Sequence, residues 1–213
     1  MNDQGVRALR AAYTAETITV YQAYAPPIAD AAVTAGAFVP PFSWDRMTWI
    51  KPSFGWMMHR CGWATKPGQE RVLAIEISRD GFEWALSHSC LSHFTQDYHP
   101  TAQDWATAKA GSPVRVQWDP DRSLTGERLA RRAIQVGLSG EAVRRYTGEW
   151  IRFITDITPT VRQVGQLVRA GRTTEAAELV PAEFVYPLAP ALARRIGAGI
   201  SDPAPASPPG DPR

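Results

Sequence analysis

The stretch that organises this sequence is Arg46-Met-Thr-Trp-Ile-Lys-Pro-Ser-Phe-Gly-Trp-Met-Met-His-Arg-Cys-Gly-Trp63. Its first part, residues 47–50, has the β-branched and aromatic composition that is typical of a strand. Pro52 ends that strand because proline lacks the N–H that a sheet ladder requires, and proline also suits the first turn of a helix. We therefore expect a strand followed by a helix over residues 53–60.

Three cations in the same stretch, Arg46, Lys51 and Arg60, lie among large apolar side chains. A buried cation is costly unless an anion compensates its charge, so the sequence predicts either an anionic ligand or a network of paired carboxylates. The turn between strand and helix would direct free backbone N–H groups outward, with Lys51 and Ser53 at its mouth. Such a turn suits phosphate, although the stretch has no glycine-rich loop.

Length and composition indicate a globular protein. Of its 213 residues, 44% are hydrophobic and 21% are charged, which suits one domain over residues 1–200, and we expect the proline-rich residues 201–213 to be a disordered tail. The net charge of +2 is too small to predict nucleic-acid binding from charge alone. Two cysteines exclude a disulfide framework, and there is no leader or membrane-length apolar run. We expect a soluble cytoplasmic protein with no membrane partner.

The apolar periodicity predicts an α+β fold: a mixed, mainly antiparallel sheet of about five or six strands over residues 17–138, with flanking helices and a helical C-terminal third over residues 139–200. The predicted strands are 17–24, 47–50, 71–78, 82–86, 112–120 and 132–138, with a hairpin turn at 79–81 and a polar loop at 88–99. The predicted helices are 28–36, 53–60, 101–110, 142–155, 160–170, 173–179 and one within 181–200.

Two predicted strands carry candidate site residues. Arg115, Gln117 and Asp119 share one face of strand 112–120, opposite an apolar face, and such a row is either a ligand wall or a solvated edge. Glu76 lies on the non-core face of strand 71–78, where it meets solvent or a cleft. The histidines and cysteines fall within residues 59–99, but their spacing matches no established metal pattern, so we predict no metal site.

Several phrases of the sequence resemble a bacterial and fungal family that is known only as a domain of unknown function, DUF4291. They are Val20-Tyr-Gln-Ala-Tyr24, Arg46-Met-Thr-Trp-Ile-Lys-Pro-Ser-Phe54, Trp56-Met-Met58, Gln69-Glu-Arg71, Arg79-Asp-Gly-Phe-Glu-Trp84, Val114-Arg-Val-Gln-Trp-Asp-Pro120 and Ile134-Gln-Val-Gly-Leu138. The resemblance covers roughly residues 5–187. It implies a family and supplies no activity or catalytic residue.

The order of elements also resembles the ADP-ribosyltransferase fold. In that fold a strand with Tyr and then Arg or His precedes a helix ending in Gly, a strand-helix unit with a hydroxyl residue, and a late strand with Glu. Here the corresponding positions are Tyr21-Gln22, Gly36 and Ser53, while the late strands carry Gln117 or Gln135. Without the Glu, the charge that stabilises a cationic transition state is missing from that position.

The first of three hypotheses is a nucleotide-utilising transferase, with NAD or another nucleotide as cofactor. In it Arg46, Lys51 and Arg115 bind the diphosphate, and Trp49 or Trp56 stacks on the base. Ribose would be oriented by Gln22 and Ser53, with Gln117 and Asp119 as further cofactor contacts. The candidate catalytic residues are Glu76, Gln117 and Lys51.

Two alternatives remain open at the level of the sequence. Interleaved aromatic and arginine residues can stack unpaired bases and neutralise phosphates, which favours an RNA-binding or RNA-processing protein. Tryptophan and arginine are also enriched at binding hot spots, which favours a non-catalytic protein-interaction module. RNA binding predicts steep salt dependence, whereas an interaction module predicts no response to small nucleotides.

Overall fold

The computed structural model describes residues 6–199, so the tail predicted at 201–213 lies outside the described residues. Within residues 6–199 the strands are β1 Val6–Arg7, β2 Arg10–Ala11, β3 Thr17–Tyr24, β4 Thr48–Ile50, β5 Arg71–Ser78, β6 Ser89–Leu91, β7 Val114–Arg122, β8 Arg128–Leu138, β9 Ile151–Asp156 and β10 Phe184–Val185. The helices are α1 Pro26–Ala35, α2 Phe54–Cys61, α3 Arg79–Ser87, α4 Ala102–Gly111, α5 Glu141–Arg145, α6 Thr158–Arg169, α7 Thr173–Glu178 and α8 Pro190–Ile196, and a π-helix, Tyr146–Trp150, follows α5. This mixture confirms the predicted α+β class.

The strands are divided among three sheets instead of forming one. The largest has the order β1-β8-β7-β6, with β4 also paired to β8. In it β7 and β4 run antiparallel to β8, whereas β1 is parallel to β8 and β6 is parallel to β7. A three-stranded antiparallel sheet has the order β3-β5-β9, and β10 pairs with β2 in a small third sheet.

The two larger sheets are joined where β3 meets the end of β4. Tyr21 N–H donates to the Lys51 carbonyl at 2.8 Å, and Lys51 N–H donates to the Tyr21 carbonyl at 3.2 Å. This isolated antiparallel bridge brings the middle of β3 against the strand-to-helix turn that leads into α2. The junction therefore places residues of both sheets around a common space.

The helix that follows β4 forms as its sequence predicts. Ser53 is the N-cap of α2, with its side chain accepting from the Trp56 N–H, and Gly62 ends the helix in a left-handed conformation at φ 59°. The buried face of α2 packs on a core cluster that includes Tyr21 of β3 and Val161 of α6. This packing fixes the position of the turn at residues 51–53.

The segment predicted as a hairpin, residues 79–86, is instead helix α3. The Ser78 side chain accepts a hydrogen bond from the Gly81 N–H at 3.3 Å and so caps the helix. The turn-like Arg79-Asp-Gly81 is therefore the first turn of a helix whose buried residues are Gly81, Phe82, Ala85 and Leu86. Their spacing of three and four residues is that of an amphipathic helix.

Two shorter segments also differ from the prediction. Residues 151–155 are predicted to continue a helix, but the backbone becomes extended at Ile151 and β9 pairs with β5. Residues 89–91, expected in a loop, form the buried strand β6. The C-terminal third is therefore not entirely helical. None of the helices within residues 6–199 has the length and apolar character needed to cross a membrane.

Candidate functional site

A cavity of about 460 Å³ lies at the junction of the two larger sheets. It is bounded by the end of β3, the segment that leads into β4, β4 itself and α2. The polar and aromatic side chains of its lining include Gln22, Tyr24, Arg46, Thr48, Trp49, Lys51, Arg60 and Gln69. Four residues predicted from the sequence, namely Gln22, Arg46, Trp49 and Lys51, therefore come together here.

Lys51 is the most unusual group of this cavity, because it is only 7% exposed. Its Nζ donates to the Trp49 carbonyl oxygen at 3.1 Å, and within residues 6–199 it forms no ion pair with a carboxylate. Burial lowers the pKa of Lys51 to about 8, and the Arg60 charge adds to this effect, whereas Cys61 and Asp119 oppose it. Among the described residues, this buried cation therefore has no carboxylate as a direct partner.

Arg46 and Arg60 are exposed at the mouth of the cavity. Neither guanidinium forms an ion pair with a carboxylate of the described residues. The cavity therefore combines a buried amine with two permanently charged arginines. Arg60 is not among the predicted ligand contacts, although it belongs to the same basic and aromatic stretch. On α2 it lies three residues after Met57, which also lines the cavity.

Gln22 has a structural role, because its amide is engaged with protein groups. Its Nε2 donates to Thr48 Oγ1 at 2.6 Å and to the Trp49 carbonyl at 3.3 Å, and its Oε1 accepts from the Tyr146 hydroxyl at 2.7 Å. Gln22 is 3% exposed, so these bonds satisfy a buried amide that ties β3 to β4 and the π-helix. Both amide hydrogens of Gln22 are used in these bonds, so a ribose hydroxyl could contact only the second lone pair of Oε1.

Trp49 forms part of the cavity wall and lies over β8. A Cβ on Gly137 would come within 2.9 Å of the Trp49 ring and 2.8 Å of Met47 Sδ, so glycine at this position leaves room for the indole. Trp49 pairs with Gly137 across β4 and β8, and Arg115 pairs with Gly137 across β7 and β8. Trp49 therefore shares a sheet face with the row predicted on β7.

The row on β7 is a hydrogen-bonded group beside the cavity. Gln117 Nε2 donates to Asp119 Oδ1 at 2.9 Å, and Gln135 of β8 donates to the other oxygen of the same carboxylate. Asp119 is close enough to Lys51 to favour its charged form. Gln117 and Asp119 therefore lie next to the cavity and not on its surface. Arg115 does not belong to this hydrogen-bonded group, since it donates to the Ser112 and Val114 carbonyls.

The start of α2 is already occupied by carboxylates of the protein, contrary to the expectation of an open phosphate turn. The Phe54 N–H donates to Glu183 Oε1 at 2.5 Å, and the Ser53 hydroxyl donates to Asp121 Oδ1 at 3.4 Å. Burial raises the pKa of Glu183 to about 7. Ser53 therefore serves as a helix cap, and the Glu183 side chain stands where an anion at this helix start would bind.

Two further predicted residues lie outside the cavity. Trp56 is 8% exposed and packs against His59 with ring centroids 5.5 Å apart, away from the cavity lining. Glu76 lies on β5, where its neighbours across the sheet are Thr19 and Phe153, and it does not line the cavity either. Both positions follow from sheet pairing and helix packing that the local sequence does not encode.

A second cavity of about 540 Å³ lies near β6 and α8. It includes Cys90 and His99, whose Sγ and Nε2 atoms are 4.0 Å apart. Burial raises the pKa of the Cys90 thiol, which keeps it protonated. Among the described residues no group of three or more His, Cys, Asp or Glu side chains is arranged to hold a metal ion. None of the predicted site residues lines this cavity.

Comparison with known proteins identifies a family. No curated protein matches this chain. The family model described as domain of unknown function (DUF4291) matches residues 8–186, which is most of the chain and contains the cavity around Lys51. This protein therefore belongs to the DUF4291 family.

Proposed function

We propose that this protein binds a phosphate-bearing nucleotide in the cavity around Lys51 and acts as a nucleotide-utilising transferase, with NAD as the first candidate cofactor. The observation that carries the proposal is the buried Lys51 amine, which has a carbonyl as its hydrogen-bond partner and no carboxylate partner within residues 6–199. A bound anion would compensate this charge and would raise the pKa of Lys51.

Phosphate is the anion that best suits the mouth of the cavity. Arg46 and Arg60 present planar guanidinium groups, which bind phosphate oxygens in a bidentate manner. The cavity volume of about 460 Å³ falls in the range of ordinary small-molecule sites. The two arginines and Lys51 together can therefore accept a diphosphate.

The remaining contacts support a nucleoside. Trp49 offers an aromatic wall on which a base can stack, and Asp119 is a carboxylate held from two sides by Gln117 and Gln135. Asp119 lies next to the cavity and favours the charged form of Lys51, so in this proposal it supports phosphate binding through Lys51 and does not contact the ribose, and Glu76, which lies outside the cavity, has no catalytic part. Ser53, Trp56 and Arg115 have no part in it.

Thermal unfolding in the presence of NAD, ATP, GTP, inorganic phosphate or a short single-stranded RNA tests this proposal. A ligand at 100 times its dissociation constant adds ~2.7 kcal/mol to the free energy of unfolding. We expect a nucleotide to raise the melting temperature of the wild-type protein, and we expect Lys51→Met to abolish the shift. Lys109→Met is the control, because Lys109 does not line this cavity and donates to the Ser92 carbonyl.

The outcomes separate the alternatives. A nucleotide shift that survives in Lys51→Met and in the Arg46→Gln/Arg60→Gln double variant would contradict the proposed site. A shift with RNA that disappears in high salt would favour nucleic-acid binding. The absence of a shift with every ligand would contradict the proposal and favour the interaction module. A shift with NAD would justify measuring the release of nicotinamide.

A further inference from the structure

We propose that Lys51 is a nucleophilic amine that forms a covalent imine with the carbonyl carbon of a small phosphorylated aldehyde or ketone. This inference rests on the phosphate-binding cavity of the proposed function and names a second chemical class of ligand for it. It starts from the same buried side chain, which has two ways to avoid an uncompensated charge. One is to bind an anion, and the other is to lose its proton.

The hydrogen bonds of Lys51 leave its nitrogen available for reaction. Nζ has three positions for hydrogen or a lone pair, and within residues 6–199 one of them is used, by the Trp49 carbonyl at 3.1 Å. The side chain borders a cavity large enough for a small ligand. A neutral amine that keeps the bond to Trp49 therefore has a lone pair without a protein partner, which is the requirement for attack on a carbonyl carbon.

The surroundings of Lys51 favour its neutral form. Desolvation combined with a neighbouring cation is an established way of activating a lysine nucleophile. At a pKa of about 8, roughly one tenth of the molecules carry neutral Lys51 at pH 7, against about one in 2,500 for a lysine of ordinary pKa. The charged and titratable groups around it are Tyr24 of β3, Arg46 before β4, Arg60 and Cys61 of α2, and Asp119 of β7.

The two arginines of the cavity indicate that the substrate carries a phosphate. Arg46 and Arg60 at the mouth would hold the phosphate, while Lys51 at the wall meets the carbonyl of the same molecule. The nitrogen forms a bond to the carbonyl carbon, two N–H protons pass to the carbonyl oxygen, and this oxygen leaves as water. Lys51 and the former carbonyl carbon are then joined by a C=N bond, with no oxidant or reductant required.

Pyridoxal 5′-phosphate is a suitable probe, because it combines an aldehyde with a phosphate. The protein is incubated with it at pH 8, the imine is reduced with borohydride, and the modified peptides are mapped. The chain has three lysines, Lys51, Lys66 and Lys109, so the last two are internal controls. We expect modification of Lys51 to be at least about ten-fold faster than that of the controls, in line with its larger neutral fraction. Pyridoxal, which lacks the phosphate, should modify Lys51 more slowly.

A second measurement distinguishes reactivity from accessibility. Competitive labelling with acetic anhydride across pH should give a midpoint near pH 8 for Lys51, and Arg60→Gln should move this midpoint to higher pH because a neighbouring cation is lost. A midpoint near that of the two control lysines, or no effect of Arg60→Gln, would overturn the inference. Equal rates of Lys51 modification by pyridoxal and pyridoxal 5′-phosphate would show that the substrate does not need a phosphate.

The inference and the proposed function fail in different ways. If Lys51 is modified selectively but nucleotides neither protect it nor raise the melting temperature, the imine chemistry stands and nucleotide binding is wrong. If nucleotides raise the melting temperature but Lys51 is no more reactive than Lys66 and Lys109, nucleotide binding stands and the imine chemistry is wrong. Selective modification that NAD or ATP blocks supports both.

Discussion

At the scale of single residues, Lys51 and Gln22 illustrate what the sequence can and cannot reveal about a site. The position of Lys51 within an apolar and aromatic stretch was enough to predict a cation in need of compensation. The role of Gln22 could not be predicted, because two of its partners, Thr48 and Tyr146, lie 26 and 124 residues away along the chain. Local sequence indicates which side chains are unusual, whereas long-range pairing decides which of them already have hydrogen-bond partners within the protein.

Tyr146→Phe should destabilise the protein by about 1–3 kcal/mol, because it leaves the buried Oε1 of Gln22 without a donor. The measurement is the free energy of unfolding in urea. Tyr98→Phe is the control, since Tyr98 is 38% exposed. An equal effect of the two substitutions would show that the hydroxyl of Tyr146 contributes nothing specific to the junction between the sheets.

At the scale of elements, the strands β3 and β5 were predicted with their observed bounds because each alternates over eight residues. The prediction failed at α3 and β9, where local signals conflicted. Arg79-Asp-Gly81 has the composition of a turn, yet the Ser78 cap and the buried face of the segment favour a helix. At residues 151–154 the apolar spacing continued a helical pattern, but pairing with β5 made the segment a strand.

The packing of α3 on the π-helix gives a prediction for Gly81. A Cβ at this position would lie 2.3 Å from Trp150 Cγ, so Gly81→Ala must displace a buried indole or shift the helix. We expect a loss of about 1–3 kcal/mol in the free energy of unfolding, as is usual for overpacked cores. Gly111→Ala is the matched control: Gly111 ends α4 and nothing lies within 4 Å of its added Cβ. A neutral Gly81→Ala would contradict the described contact.

At the scale of the whole molecule, the α+β class could be predicted but the division into three sheets could not. The class follows from the local periodicity of each segment. The division depends on pairs such as β1 with β8 and β2 with β10, which join residues more than 100 positions apart. The same long-range pairing brings Glu183 to the start of α2, where its carboxylate accepts from the Phe54 N–H.

Glu183 should make the stability of the whole fold depend on pH. Its folded-state pKa is raised from 4.5 to about 7, so between these values the folded protein holds a proton that the unfolded chain releases. The free energy of unfolding therefore falls as pH rises through this window. Glu183→Gln removes the titrating group, and its stability relative to wild type should improve by on the order of 2–3 kcal/mol from pH 5 to pH 8.

Urea unfolding at the two pH values, with the exposed residue Glu178 replaced by Gln as control, measures this effect. Comparison with wild type cancels the contributions of all other titrating groups. A constant difference between Glu183→Gln and wild type across the window would show that the carboxylate at the start of α2 is not held in its protonated form.

The contact between the two ends of the described chain has a consequence for synthesis on the ribosome. Tyr186 N–H donates to the Leu9 carbonyl at 2.8 Å, and Gly199 N–H donates to the Arg7 carbonyl at 2.9 Å. Residues 7 and 9 therefore gain these partners only after the sheets between them have been synthesised. During translation β1 can pair with β8 once residue 132 has been made, whereas β2 gains its partner β10 only after residue 185.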